Sequence, residues 1–252
     1  MARIKFMNTE IDNLTMEETL EEIDFLIQEN RNAYVVTPNV DHIVQLENGG
    51  ELCEVYKNAD LILTDGKPLL WISKLYKTPI KEKISGSDLL PLLCKMASKK
   101  GYSMFFLGAA ENIAAKAAEN LTRKYPGLNV KGTYSPRPGF EKDISEMKKI
   151  ENMVKHTNPH ILIVCLGCPK QELFIFNNKD KLGVPISLGL GASLDFEAGI
   201  IKRAPRWMSD HGLEWLFRIT QDPKRMAKRY LINDIKIIGL ILKYKGKAEF
   251  RR

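Results

Sequence analysis

The chain has 252 residues, 44% apolar and 27% charged, with 38 basic and 31 acidic side chains for a formal charge of +7. That length carries one large α/β domain, or a domain with an appendage. No segment approaches the ~20 apolar residues of a membrane-spanning helix, and the opening "MARIKFMNTEIDN" lacks the apolar stretch of a secretory signal. Four cysteines without such a signal read as reduced thiols of a cytoplasmic protein.

The charge is unevenly spread. Residues 202–252 hold 14 basic and 5 acidic side chains, a local net of +9, while the 201 residues before them hold 24 and 26 and are nearly neutral. An anionic partner, nucleic acid or anionic lipid, would meet that end first.

In chain order, "TMEETLEEIDFLIQEN" predicts a helix with Thr15 and Glu18 as a capping box. "AYVVT" predicts a buried strand, followed by a helix through "VDHIVQLEN", and "LILT" a second strand. "SDLLPLLCKMASKKG" predicts a helix capped by Ser87 and stopped by Gly101, with Pro91 in its first turn, where proline is tolerated. "YSMFFLG", "LNVKGTY", "ILIVCLG" and "VPISLG" follow as strands, separated by helical patterns in "AENIAAKAAENLTRKY", "EKDISEMKKIENMVKH" and "PKQELFIFNNK". Such strand–helix alternation predicts α/β layers around a largely parallel central sheet. The rhythm stops near residues 196–205. An α/β domain over 1–200 and a basic, all-helical appendage over 201–252 are the expected division.

Polar and small residues gather where the apolar runs end: Thr37 and Asn39, Thr64 to Gly66, Gly108, Gly167 with Lys170 and Gln171, and Gly189 with Gly191 and Asp195 beyond. If the strands are parallel, all lie along one sheet edge, where loops and helix N-termini converge on ligands. Gly108 before a helix fits an anion-binding turn, with Ala109 next to it, or else a tight βα connection without a ligand. Asp65 in its "DG" turn fits a general base, or else an Asx-turn cap. His42 sits on the helix after Asn39 and faces the same edge. His156, His160 and His211 read as helix-end or surface residues. Cys165 and Cys168 form a C-x-x-C with no second such motif, which favours plain thiols at a strand end. No zinc site is expected.

Seven stretches, "TPNVDHIVQLEN", "LTDGKPLLWISK", "KISGSDLLP", "FLGAAENIAAKAAENL", "LGCPKQELFI", "SLDFEAGIIKRAPRWM" and "GLEWLFRITQDPKR", together resemble the WecG/TagA/CpsF family of bacterial glycosyltransferases, in the family's order and over roughly residues 10–235. The resemblance implies a Rossmann-like core and an inverting, metal-independent transfer from a UDP-sugar to a saccharide on a polyprenyl diphosphate at the cytoplasmic face of the membrane. It implies Asp65 as the base, with Thr37, Asn39 and Gln171 as site residues. Lys83 stands where the family tends to have Arg, which keeps the charge and loses the bidentate fork. Lys83, Lys170, Arg218 and Arg225 are the candidate cations for the leaving diphosphate, beside the backbone near Gly108. No cofactor is expected.

Within the appendage Leu231, Ile235, Ile238 and Leu242 step by 4, 3 and 4, a helical stripe set among cations. A basic amphipathic helix reads as an anchor on an anionic membrane surface. The alternatives are packing on the body or on a second subunit of a homo-oligomer. Two rival functions are an oxidoreductase, which lacks its G-x-G-x-x-G fingerprint, and a non-catalytic protein that binds nucleic acid or lipid through the basic tail.

Overall fold

A computed structural model describes residues 3–245. It opens with a hairpin too short to show a period in the sequence: β1 (Arg3–Phe6) pairs antiparallel with β2 (Thr9–Asp12). Thr15 caps α1 (Met16–Glu29) in the expected box, its hydroxyl accepting from the Glu18 N–H while the Glu18 carboxylate accepts from the Thr15 N–H. Then come β3 (Ala33–Val36), α2 (Val40–Leu46), α3 (Glu51–Lys57), β4 (Leu61–Ile62) and α4 (Lys67–Leu75).

The next helix, α5 (Gly86–Lys100), starts earlier than its sequence suggests. Ser85, not Ser87, is its N-cap, and the Ser85 hydroxyl donates to the Asp88 carboxylate. Pro91 therefore falls beyond the first turn. It has no N–H to give the Ser87 carbonyl four residues back, and the Arg203 guanidinium donates to that carbonyl instead. The body continues through β5 (Ser103–Gly108), α6 (Ile113–Lys124), β6 (Asn129–Tyr134), α7 (Ile144–Thr157), β7 (Ile161–Cys165), α8 (Lys170–Leu182), β8 (Ile186–Gly189) and the short α9 (Ser193–Glu197).

Six strands form one parallel sheet in the order β4-β3-β8-β7-β5-β6. Its faces are both covered, which is why its inner strands read as unbroken apolar runs. Alternate residues still part company: Met104 and Phe106 face the layer of α1, α5, α6 and α9, while Phe105 and Leu107 face that of α2, α3, α4, α7 and α8. Both phenylalanines are wholly buried, each contributing about 1.5–3 kcal/mol of apolar burial. The open edge of β4 is closed by the hairpin: the Asp12 carboxylate accepts from the Ile62 N–H at 2.8 Å and is gripped by Arg3 at 2.9 Å.

The chain runs outward from β3 to β4 on one side and from β5 to β6 on the other, and β7 and β8 fill the gap between. The strand ends beside β3, β8 and β7 therefore border a topological switch, the place where open α/β sheets bind ligands.

Beyond α9 the segment is helical as expected, in short pieces: α10 (Arg206–Asp210), α11 (Glu214–Gln221), α12 (Pro223–Lys228), a π-helical turn over Arg229–Asn233, a 3-10 turn over Asp234–Lys236, and α13 (Ile237–Tyr244). Residues 246–252 of the expected appendage lie outside the described residues. Ile237, Leu240, Ile241 and Tyr244 pack against the core beneath α2 and α4, and the Tyr76 hydroxyl donates to the Ile241 carbonyl at 2.9 Å. The stripe of Leu231, Ile235, Ile238 and Leu242 is on another face, each residue more than half exposed. Packing of that stripe on the body is thereby corrected: the body takes its neighbours.

Candidate active site

The strand ends are laced together before any ligand is considered. The Thr37 hydroxyl donates to the Gly189 carbonyl at 3.1 Å, joining β3 to β8. The Gln171 side-chain oxygen accepts from the Gly191 N–H at 2.9 Å, joining α8 to the loop after β8. Gly108 adopts φ +117°, and a β-carbon there would stand 2.4 Å from the Cys165 carbonyl oxygen. Close passage of β5 along β7 is thus a sufficient reason for this glycine. The Ala109 N–H donates to the same carbonyl at 2.7 Å, so it is already engaged and not free for a phosphate.

Asp65 stands partly buried after β4, its N–H donating to the Pro38 carbonyl at 2.8 Å and tying two strand-end loops together. Its carboxylate makes no hydrogen bond among the described residues, so nothing there supports the Asx-turn reading. Burial raises its pKa above the ordinary aspartate value; the fields of Arg218, Lys83 and His42 draw it partly back, against Glu214. A carboxyl lifted in this way is a stronger base once ionised.

Its cationic neighbours come from two regions. The Lys83 ammonium is 3.0 Å from one Asp88 oxygen, and Arg203 from the C-terminal segment is 3.0 Å from the other. One carboxylate thus holds a body cation and a tail cation. Arg218 pairs with Glu214 at 2.8 Å, and its guanidinium lies 5.4 Å from the Phe196 ring centre, with Arg203 at 5.9 Å from the same ring. A cavity of about 740 Å³ opens among these groups, lined by Lys67, Lys83, Asp88, Phe196, Arg203 and Glu214. Its wall includes Lys67, two residues along the chain from Asp65, and it is large enough for a nucleotide-sized ligand.

Beneath the edge runs a buried polar network. Glu172, fully buried, accepts through Oε1 from Gln171 Nε2 at 2.8 Å and from His42 Nε2 at 3.2 Å. Burial by itself would lower the His42 pKa, but the Cys168 thiol and the Glu172 carboxylate outweigh it and carry it up to about 10. With Nδ1 protonated the ring donates to Asn39 Oδ1 at 2.9 Å; with Nδ1 bare it accepts from the Asn39 backbone N–H at 3.3 Å. Asn39 Oδ1 also accepts from the Asp41 N–H at 3.1 Å and from Arg229 Nη2 at 3.0 Å. Ligand atoms of His42, Cys168 and Glu172 lie within 4.8 Å of one another, and among the described residues only this group could hold a metal ion. Both imidazole nitrogens and one Glu172 oxygen are engaged in the bonds just given, while Glu172 Oε2 has no partner. Cys165 is a free, buried thiol pushed up to about 12 by burial.

The fold therefore brings Thr37, Asn39, Asp65, Lys83, Gln171 and Arg218 to one end of the sheet. Asp195 is half-buried nearby, its carboxyl raised by burial and opposed by the Arg225 charge. Two expected cations are occupied elsewhere. Lys170 is exposed and 3.2 Å from Glu141, and Arg225 is exposed and 2.7 Å from Asp222. Glu172, Arg203, Glu214 and Arg229 escape sequence reading. Glu172 follows Gln171 directly and was legible as a buried acid on an apolar helix face; the others take their meaning from tertiary contacts alone.

The family model for the glycosyl transferase WecG/TagA/CpsF family matches residues 4–251. The chain belongs to this family. It is 31% identical over 218 residues to the N-acetylglucosaminyldiphosphoundecaprenol N-acetyl-beta-D-mannosaminyltransferase of Bacillus spizizenii, covering 86% of this chain and 82% of that protein. Proteins of the same name from Bacillus subtilis and Staphylococcus aureus (strain MW2) are 29% and 27% identical, each match covering 90% of this chain and 88% of the relative. Membership makes the protein a glycosyltransferase, and the six-stranded parallel sheet agrees with the Rossmann-like core that the resemblance implied. Among the described residues no helix is long and apolar enough to cross a membrane.

Proposed function

We propose that this glycosyltransferase moves a sugar from a UDP-sugar to a saccharide carried on polyprenyl diphosphate, with inversion, and with Asp65 as the general base. The observation that carries the reading is Asp65 itself: a partly buried strand-end carboxylate with raised pKa, unbonded, beside a cationic cavity. Its ionised form takes the proton from the acceptor hydroxyl as that oxygen attacks the anomeric carbon. The anomeric C–O bond to UDP breaks, and the diphosphate leaves with the electron pair. Lys83, Arg218 and Arg203 supply positive charge for the leaving group, so the reaction needs no metal in this reading. Thr37, Asn39 and Gln171 hold the reacting groups in place, and Asp195 borders the donor. The names of the relatives make UDP-N-acetylmannosamine the first donor to try and an N-acetylglucosaminyl diphospholipid the first acceptor.

The appendage over 201–252 serves two ends. Its inner side brings Arg203 to the cavity and the Arg218 charge to Asp65, and its exposed stripe, with Lys224, Lys228 and Lys236 nearby, rests on the anionic inner face of the cell membrane. The protein is then peripheral and cytoplasmic. A nucleic-acid arm would not expose four large aliphatic residues beside its cations.

The test is a donor screen with purified protein, a panel of UDP-sugars and a short-chain lipid diphosphate acceptor, run with and without EDTA. Transfer insensitive to chelator is expected. No transfer from any UDP-sugar, or transfer abolished by EDTA and restored by a divalent ion, overturns the corresponding part. Sedimentation with vesicles tests the surface: binding to anionic and not to neutral lipid, weakened by salt, is expected.

A further inference from the structure

Two amides, Asn39 and Gln171, sit on different elements, α2's N-terminus and α8, and one buried pair links them. Glu172 Oε1 receives a hydrogen bond from Gln171 and another from His42, and the far side of the His42 ring, when protonated at Nδ1, donates to Asn39 Oδ1. Amide side chains offer an acceptor at one end and two donors at the other, so whichever end is engaged by the protein fixes what is offered to a ligand. Asn39 Oδ1 is engaged three times, by His42, by the Asp41 N–H and by Arg229. Asn39 Nδ2 has no hydrogen-bond partner among the described residues. Gln171 repeats the arrangement in a buried setting, its oxygen engaged by the Gly191 N–H and one amide hydrogen by Glu172.

We propose that His42 and Glu172 are a positioning pair that holds the Asn39 side-chain oxygen and so leaves its N–H donors free at the strand ends, where they meet an oxygen atom of the donor sugar or its diphosphate. Neither residue touches the ligand. Their effect is on the rotation of an amide whose two ends are nearly equal in size and opposite in hydrogen bonding. With the pair broken, only the Asp41 N–H and Arg229 still hold the Asn39 oxygen, the amide turns more easily, and in the turned state an acceptor would face an acceptor. Gln171 is held by the same Glu172 oxygen, so the pair also fixes the loop at Gly191 against α8. The inference rests on the proposal that Asn39 belongs to the site.

The test uses the full-length protein and the donor found active for the wild type. Turnover and donor KM are measured for Asn39→Ala, Glu172→Gln, His42→Gln and the Asn39→Ala/Glu172→Gln double variant, with circular dichroism and melting curves to verify folding. Each single variant is expected to lose about 100-fold in kcat, the loss typical of a reacting group misplaced by about 1 Å, with donor KM little changed. The double variant is expected to fall below Asn39→Ala by less than the loss of Glu172→Gln alone, because the two changes share the hold on Asn39 while Glu172→Gln also disturbs Gln171. A merely structural role for the pair predicts losses that multiply, and that result overturns the proposal, as does full turnover in folded Glu172→Gln. Should Glu172→Gln fail to fold, the His42→Gln/Glu172→Gln variant, which keeps hydrogen-bonding groups and removes both charges, takes its place in the cycle. Full activity of Asn39→Ala would instead strike at the placement of Asn39 in the site, and the pair would fall with it. One zinc per purified chain by elemental analysis, lost in Glu172→Gln, would also overturn the pair in favour of a metal centre.

Discussion

Helix α8 in the body and helix α13 at the C-terminus are both apolar, but they use that character differently. On α8, Phe174, Ile175 and Leu182 are buried against the sheet, and the polar groups on the same side, Gln171 and Glu172, are buried with them and bonded. On α13 and the turns before it, Ile237, Leu240 and Ile241 pack inward, while Ile235, Ile238 and Leu242 face out. Folding accounts for every large side chain on α8 but leaves Ile238 and Leu242 of α13, with Ile235 just before it, uncovered. These uncovered residues call for a second surface, and the cations interleaved with them, Lys228, Lys236 and Lys243, give that surface its sign. Lys243 is held by Glu47, the residue after α2, so the outward stripe is fixed relative to the body.

The comparison can be broken or sharpened at several points. The largest effect is expected at Asp65, where Asp65→Asn keeps shape and removes the base. Turnover should fall about 10²–10⁴-fold with UDP-sugar binding retained by calorimetry, and unchanged turnover would sink the assignment. Next is the outward stripe. Ile238→Ser with Leu242→Ser should reduce partition onto anionic vesicles by about 100-fold, from about 1.5 kcal/mol or more per aliphatic side chain, with folding stability moved by no more than about 0.5 kcal/mol. The inward face should behave in reverse: Ile241→Ala should cost about 1–2 kcal/mol in urea denaturation and leave vesicle binding as it was. If both substitutions change both measurements alike, the two-faced reading of α13 is wrong.

The smallest effect is on pH dependence. In its proposed role Asp65 takes a proton only when ionised, so activity is expected above its raised pKa and is lost as pH falls through it. Lys83 lowers that pKa. Lys83→Gln should therefore move the acidic limb of the kcat/KM profile to higher pH, beyond any loss in rate, and a limb that stays in place would remove Lys83 from the neighbourhood of the base. Arg218→Gln should move it in the same direction.

Much of this site was legible because parallel α/β sheets concentrate chemistry at strand ends. Thr37, Asn39, Asp65 and Gln171 each follow a short apolar run, and a run of that kind fixes both the strand and the edge at which it stops. Ala109, Lys170 and Arg225 were legible only as types. A backbone N–H near a glycine turn, or a cation near a helix start, can be claimed by any acceptor that the fold brings up, and here Cys165, Glu141 and Asp222 claim them. Ser87 lost its role as a cap for a similar reason: the helix gained a turn's start at Ser85, whose hydroxyl had Asp88 to hold.

The sequence by itself determined the layered α/β core, the sheet edge at which the strand-end polar residues gather and the concentration of charge in the C-terminal segment. These are matters of period, order and composition, and each is set by residues close together in the chain. Only the tertiary structure decided that Arg203 and Lys83 share one carboxylate, that Arg229 reaches Asn39 across 190 residues, that His42 stands between Glu172 and Asn39, and which face of α13 the body covers. Those depend on distances between segments, and a buried charge acquires its partner, and its pKa, from whatever the fold packs against it.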